Sequence, residues 1–173
     1  MGNKAIGEGS GGNKPVFTPQ DISKLYKRFN KLDVDGSGQL ELSELTTLPE
    51  LALNPLVKRV VSVLDINKDG NISFMELITG LGTLSGSTND IDKLKFAFKV
   101  YDVDEDNYIS NGDLFTVLKM MVGTNLNDVQ LQQLVDRTII RADKDFDGML
   151  SFEEFCDTVK ELGVGSKLTL TME

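Results

Sequence analysis

The sequence contains no histidine, no tryptophan and a single cysteine among its 173 residues. Without histidine there are no imidazole metal sites, and the commonest general base of enzyme catalysis is missing. Cys156 has no second cysteine with which to form an internal disulfide bond, and no charged segment followed by an apolar run begins the chain. We therefore expect a cytoplasmic protein in a reducing compartment and exclude histidine-dependent hydrolysis.

Long apolar runs are also missing, since no stretch approaches the roughly 18 apolar residues of a membrane span. Acidic side chains outnumber basic ones by 27 to 18, which gives a formal net charge of −9. Nucleic acids and anionic membrane surfaces repel a net anion, so neither is expected as the main partner. Hydrophobic residues make up 40% of the chain, enough for packed cores.

A twelve-residue acidic segment occurs four times, beginning at Asp33, Asp65, Asp102 and Asp143. Each copy lies between two stretches with the apolar periodicity of helices, which is the helix-loop-helix layout of an EF-hand. Apolar residues also recur four positions before each segment and directly after it. We predict that these residues line the cores: Phe29, Val61, Phe98, Ile139, Leu45, Leu77, Leu114 and Phe155.

The repeated segments carry the oxygen ligands that Ca²⁺ requires. An EF loop supplies side chains from positions 1, 3, 5, 9 and 12 and a backbone carbonyl from position 7. The predicted ligands, loop by loop, are Asp33, Asp35, Ser37, Gln39, Glu41 and Glu44; Asp65, Asn67, Asp69, Asn71, Ser73 and Glu76; Asp102, Asp104, Asp106, Tyr108, Ser110 and Asp113; and Asp143, Asp145, Asp147, Met149, Ser151 and Glu154. The alternative to metal binding is that these segments are ordinary solvent-exposed acidic loops. The occurrence of four copies with the same residue offsets disfavours this alternative. We expect up to four bound Ca²⁺ ions.

The third loop departs from this pattern at two positions. Asn107 replaces the glycine of position 6, and Asp113 replaces the glutamate of position 12. Asparagine tolerates the left-handed backbone conformation that the turn needs, so we expect the turn to form. The side chain of Asp113 is one methylene shorter than glutamate, which predicts weaker Ca²⁺ binding or relatively better Mg²⁺ binding at this site.

Position 8 of each loop holds a leucine or isoleucine: Leu40, Ile72, Ile109 and Leu150. Such residues favour a short strand that pairs with the neighbouring loop. We therefore predict an all-α fold of two lobes, each with two paired EF-hands and short paired β-strands between the loops. The expected boundaries are a flexible N-terminal arm at 1–17, an N-terminal lobe at 18–84, a linker of small polar residues at 85–89, a C-terminal lobe at 90–163 and a tail at 164–173.

Three helix starts are signalled by capping residues. Thr18 with Pro19 marks the first incoming helix, Asn54 with Pro55 the second, and Asn127 the fourth. Paired carboxylates could alternatively act in acid-base catalysis. Here the loop pattern uses them as metal ligands, so we expect a protein that is not an enzyme.

The helix after the third loop carries more apolar side chains than one face can bury within its own lobe, from Leu114 to Val122. Methionine is well suited to adaptable packing against a partner helix, and Met120 and Met121 stand side by side here. The alternative is that these residues are ordinary core.

The segment from Phe96 to Leu126, FAFKVYDVDEDNYISNGDLFTVLKMMVGTNL, resembles the calcineurin B family, as do the QLQQLVDRTI that follows and the MGNK at the start. The resemblance implies a Ca²⁺-binding regulatory subunit that stabilises and activates the catalytic subunit of a Ca²⁺- and calmodulin-dependent Ser/Thr protein phosphatase. It also implies a hydrophobic groove around an amphipathic helix of that subunit. Residues implied to lie at the composite surface, where docking-motif substrates and immunophilin-drug complexes bind, are Leu118, Met121, Val122, Asn125 and Leu126.

The resemblance also suggests myristoylation of Gly2, which would add peripheral membrane binding only together with another anchoring signal. Ile6 departs from the acylation pattern, because that position normally holds serine or threonine. Two other functions remain open from the sequence: an EF-hand sensor of a kinase or another target, similar to the calcineurin-B-like proteins, and a Ca²⁺ buffer.

Overall fold

The computed structural model describes residues 16–85 and 90–161, and helices make up most of this part of the chain. The helices are α1 (Pro19–Leu32), α2 (Leu42–Leu45), α3 (Pro49–Ala52), α4 (Val57–Leu64), α5 (Phe74–Leu84), α6 (Asp90–Tyr101), α7 (Asn111–Val122), α8 (Asp128–Ala142) and α9 (Phe152–Glu161). Two short strands accompany them, β1 (Gln39–Leu40) and β2 (Ile72–Ser73). The predicted all-α fold of EF-hands is confirmed. Gly2, most of the predicted arm and linker, and the tail lie outside the described residues.

The capping signals at Thr18 and Asn127 are confirmed. The Thr18 side chain accepts a hydrogen bond from the backbone N–H of Asp21 at 3.2 Å, and the Asp21 carboxylate accepts one from Thr18 N–H at 3.0 Å. Asn127 and Gln130 form the same reciprocal pair at the start of α8. Each pair satisfies backbone donors that the first helical turn leaves free.

The predicted start of the second incoming helix at Asn54 and Pro55 is wrong by two residues. Helix α4 begins at Val57, after a turn in which the Asn54 side-chain oxygen accepts the N–H of Leu56 at 2.9 Å. The Asn54 backbone carbonyl accepts the N–H of Val57 at 3.1 Å. Asparagine thus makes a local turn that competes with helix at its own position.

Two clusters of buried apolar residues lie on either side of the gap at 86–89. The first contains Phe29, Leu40, Leu45, Val57, Val61 and Ile72, and the second is built around Leu94, Phe98, Ile109, Val135 and Ile139. The aromatic rings meet edge to face, with the centroids of Phe98 and Phe155 5.5 Å apart. Of the eight predicted core residues only Leu77 is partly exposed; the other seven are buried.

Cys156 belongs to the second cluster, where it is buried. Burial raises the pKa of its thiol, because the charged thiolate is poorly solvated there. These surroundings fit a small core residue and not a reactive nucleophile.

The loops are joined in pairs by backbone hydrogen bonds. Strands β1 and β2 are antiparallel, with Leu40 opposite Ile72. In the other pair, Ile109 and Leu150 exchange both N–H···O bonds at 2.9 Å. All four residues at position 8 are buried, so the same contacts that join the loops also complete the cores.

The second and third hands also touch, because α4 and α5 both pack against α6. The helix that leads into the second loop, α4, therefore contacts the helix that leads into the third loop, α6. Within 16–85 and 90–161, no helix has the length and apolar character needed to span a membrane.

We expect the Phe98→Ala substitution to lower the free energy of unfolding by about 3–5 kcal/mol, because it leaves a cavity in the second cluster. Phe98 is only 5% exposed. The measurement is urea denaturation with saturating Ca²⁺. Phe146→Ala is the matched control, since Phe146 is 86% exposed and should change stability by less than about 0.5 kcal/mol. Equal effects of the two substitutions would contradict the assigned core.

Candidate metal sites

The first aspartate of every loop accepts a hydrogen bond from the backbone N–H of the sixth residue. The N···O distances are 2.8 Å for Gly38 to Asp33, 2.8 Å for Gly70 to Asp65, 3.1 Å for Asn107 to Asp102, and 2.8 Å for Gly148 to Asp143. Each bond closes the loop on its own first residue. These bonds curl the backbone of each loop around its first aspartate.

The sixth residue has a left-handed backbone in all four loops. Its φ is +81° at Gly38, +87° at Gly70, +70° at Asn107 and +87° at Gly148. Glycine reaches this region without steric cost, and asparagine is among the few other residues that visit it. The expectation that Asn107 preserves the turn is confirmed.

This curl brings carboxylates together in three of the loops. One oxygen from each member of a group lies within 4.8 Å of the others in Asp33, Asp35 and Glu44, in Asp102, Asp104 and Asp106, and in Asp143, Asp145 and Asp147. The other predicted carboxylate ligands, all among the described residues, are outside these three groups: Glu41, Asp65, Asp69, Glu76, Asp113 and Glu154. Groups of carboxylate oxygens without nitrogen or sulfur donors suit Ca²⁺ or Mg²⁺ and not the softer transition metals.

The second loop has an amide where the first, third and fourth loops have a second aspartate. The Asn67 side-chain oxygen accepts the backbone N–H of Asp69 at 3.0 Å, while its amide nitrogen donates to the Asp69 carboxylate at 2.9 Å. Carbonyl oxygens are ordinary Ca²⁺ ligands. The oxygen donors of this loop therefore still suit Ca²⁺, although position 3 carries one less negative charge than in the other three loops.

The carboxylate at position 12 joins the start of each loop to the helix that follows. One oxygen accepts the N–H of the second loop residue, and the other accepts the N–H of the ninth, as with Val34 and Glu41 on Glu44 at 2.8 and 3.1 Å. In the third loop the first contact lengthens to 3.3 Å, between Val103 and Asp113. In the second and fourth loops that contact is 3.0 and 2.7 Å. The shorter side chain thus reaches the start of its loop less well than glutamate does.

The protonation of the loop aspartates follows their local contacts. Burial raises the pKa of Asp102, and the nearby charge of Asp106 raises it further. A hydrogen bond from the Ser37 backbone lowers the pKa of the exposed Asp35. A bound cation would favour the charged form at both positions.

A link between the first two loops was not foreseen from the sequence. The Gln39 side chain donates to the Asp69 carboxylate at 3.0 Å and accepts from the Asn71 amide at 3.1 Å. Gln39 and Asn71 stand at position 7, where only their backbone carbonyls were assigned a role. The available signal was the pairing of the adjacent position 8 residues, which brings the two side chains together.

The predicted partner surface lies along the end of α7 and the turn beyond it. Leu118 packs partly against the second core cluster, whereas Met121 is 48% exposed. Val122 and Leu126 are half-buried, and Asn125 is exposed. Val117, which directly precedes Leu118 in α7, is fully buried. The helix therefore divides its apolar side chains between core and surface.

Comparison with known proteins gives consistent matches. The EF-hand domain pair family matches residues 91–160, and the EF hand family matches residues 25–49 and 62–81. The calcineurin B protein of Naegleria gruberi is 56% identical over 156 residues, which cover 90% of this chain and 88% of that protein. The type 1 calcineurin B protein of Dictyostelium discoideum is 54% identical, covering 89% and 86%. The type 2 calcineurin B protein of Homo sapiens is 54% identical, covering 89% and 91%.

We expect Asp113→Glu to tighten Ca²⁺ binding at the third loop by about tenfold, the scale of one contact to a charged group. The longer side chain should restore both the short contact to Val103 and a second oxygen for the ion. Calorimetric titration of the variant beside the parent measures the change. The reciprocal control is Glu154→Asp, which should weaken the fourth site. An unchanged third-site affinity would show that ligand length does not limit it.

Proposed function

The chain belongs to the calcineurin B family, and we propose that it is the Ca²⁺-binding regulatory subunit of a Ser/Thr protein phosphatase. The observation that carries the proposal is the identity of 54–56% to calcineurin B proteins over about 90% of the chain. The carboxylate groups of the loops supply the matching chemistry. In this role the protein stabilises and activates a catalytic chain and performs no chemistry itself.

Ca²⁺ is held by the loop residues assigned from the sequence, at up to four sites. The acidic groups at Asp33, Asp102 and Asp143 support three of these sites, and the oxygen donors around Asp65 support the other. The third site is the weakest for Ca²⁺ and the most tolerant of Mg²⁺, because Asp113 is the shortest position 12 ligand. We further propose that 18–84 and 90–163 act as two lobes, with the arm 1–17, the linker 85–89 and the tail 164–173 outside them.

The partner is the catalytic subunit, which offers an amphipathic helix to a groove that both lobes help to form. Leu118, Met121, Val122, Asn125 and Leu126 contribute to the composite surface that receives docking-motif substrates and immunophilin-drug complexes. The half-exposed side chain of Met121 supports this assignment, because it is left uncovered on a helix that also supplies the buried residues Leu114 and Val117. Burying such a side chain is worth about 1.5–3 kcal/mol.

We expect Met121→Glu and Val122→Glu to weaken assembly with the catalytic chain, or its activity on a docking-motif substrate, by about tenfold or more. Neither position is a loop ligand, so Ca²⁺ titration should be unchanged. Co-purification and phosphatase activity are measured beside that titration. Val129→Glu is the matched control, since Val129 is a 68% exposed apolar residue at the start of α8. Full assembly and activity in both variants would refute the assigned surface.

We also propose that the protein is cytoplasmic and that Gly2 is myristoylated after removal of Met1, as the MGNK start favours. Co-expression with N-myristoyltransferase should add a C14 acyl group by intact mass, and Gly2→Ala should lack it. An unmodified parent would refute the proposed acylation. One myristoyl chain gives an association constant of only about 10⁴ M⁻¹, so peripheral membrane binding would need a second signal.

A further inference from the structure

A buried arginine crosses from the second hand to the third. Arg59 lies in α4, the helix that leads into the second loop, and is only 8% exposed. Arginine is rarely buried to this extent unless its charge is partnered. Its partners are in α6 and at the start of the third loop, about 40 residues further along the chain.

The guanidinium of Arg59 donates to three backbone carbonyls. Nη2 donates to Lys99 O at 3.0 Å and to Asp102 O at 2.9 Å, while Nε donates to Val100 O at 3.1 Å. All three acceptors lie in the last turn of α6 or just after it, where carbonyls have no partner within the helix. A cation there is also favoured by the helix dipole. Asp102 is the first residue of the third loop.

The third loop has more need of outside support than the other three. Its residues at positions 4 and 6, Glu105 and Asn107, have φ of +62° and +70°, and neither is glycine. Each of the other loops has glycine in at least one of these two left-handed positions. The Glu105 side chain forms an ion pair with Lys68, which stands at position 4 of the second loop. Both charged contacts thus run from the second hand to the third loop.

We propose that Arg59 is a positioning residue for the third Ca²⁺ site, so that a residue of the second hand sets the affinity of the third. It fixes the Asp102 backbone, and with it the direction from which the Asp102 carboxylate meets the ion. This inference rests on the proposed binding of Ca²⁺ by the third loop. It adds a residue that lies outside the twelve-residue loop and its ligand pattern.

The positive charge of Arg59, taken alone, would weaken Ca²⁺ binding at the third loop. A guanidinium close to a cation site repels the ion, so its removal would tighten binding if electrostatics dominated. Positioning predicts weaker binding, because the loss of Arg59 leaves buried carbonyls unpaired and releases the start of the loop. The sign of the change in affinity therefore separates the two roles.

The test uses Tb³⁺, which replaces Ca²⁺ at oxygen sites and luminesces when a nearby tyrosine is excited. The chain has three tyrosines, and two of them, Tyr101 and Tyr108, adjoin or lie within the third loop. All variants are made in a Tyr26→Phe background to remove the remaining one. The Asp104→Ala and Asp106→Ala double variant identifies the part of the signal that comes from the third loop.

Three substitutions are compared. We expect Arg59→Gln to weaken Tb³⁺ binding at the third loop by about tenfold, and Arg59→Lys by about threefold, because lysine keeps the charge without the planar fork. Arg137→Gln should leave it unchanged. Arg137 is the matched control because it stands six residues before the fourth loop, as Arg59 does before the second, and is exposed. Melting of the metal-free proteins is followed in parallel, since a purely structural role would lower the midpoint without changing affinity.

The outcomes separate the two proposals. The double variant Asp104→Ala and Asp106→Ala should lower the Tb³⁺ luminescence of the parent. If it does not, metal binding by the third loop is refuted, whatever the effect of Arg59. If the parent binds Tb³⁺ at the third loop and Arg59→Gln binds it there equally tightly or more tightly, the positioning role is refuted. Should Arg59→Gln fail to fold, an affinity of Arg59→Lys equal to that of the parent would refute it equally.

Discussion

The hydrogen bond from the sixth backbone amide to the first aspartate is the contact on which the rest of the molecule depends. In closing each loop it turns alternate side chains inward, which is why carboxylates two residues apart approach each other. The same curl directs position 8 toward the neighbouring loop, where it pairs and enters the core. One local bond thus prepares the ion site, the strand pairing and part of the core.

The carboxylate at position 12 extends this organisation to the outgoing helices. It receives donors from the start of its loop and from the residue that precedes the helix, so loop and helix move together. In the third hand that helix is α7, whose last turn carries Met121 and Val122. An ion bound at the position 12 oxygens, as proposed, would therefore act on the helix that bears the proposed partner surface. Asp113, Met121 and Val122 all lie on this one helix.

The sequence was sufficient for features with a fixed local period. The loop turns and their acidic groups recur at set offsets, the core residues at four before and one after each loop, and the caps at Thr18 and Asn127 depend on neighbours three residues away. It was insufficient where several local options compete, as at Asn54, whose turn delays α4 to Val57. Contacts over 30 or more residues, such as Gln39 with Asp69 and Arg59 with Asp102, have no local pattern at all. They depend on how the hands pack.

The bonds that join the loops in pairs have a consequence for the shape of the response to Ca²⁺. Ile109 and Leu150 exchange two backbone hydrogen bonds, and Leu40 lies opposite Ile72, so ordering one loop also orders its neighbour. If both loops of a pair bind Ca²⁺ as proposed, the first ion would bear most of the entropy lost in that ordering, and the second would find a loop already restrained. With Ca²⁺ bound as proposed, each pair would therefore fill over a narrower range of Ca²⁺ concentration than the same two loops would without the hydrogen bonds between them.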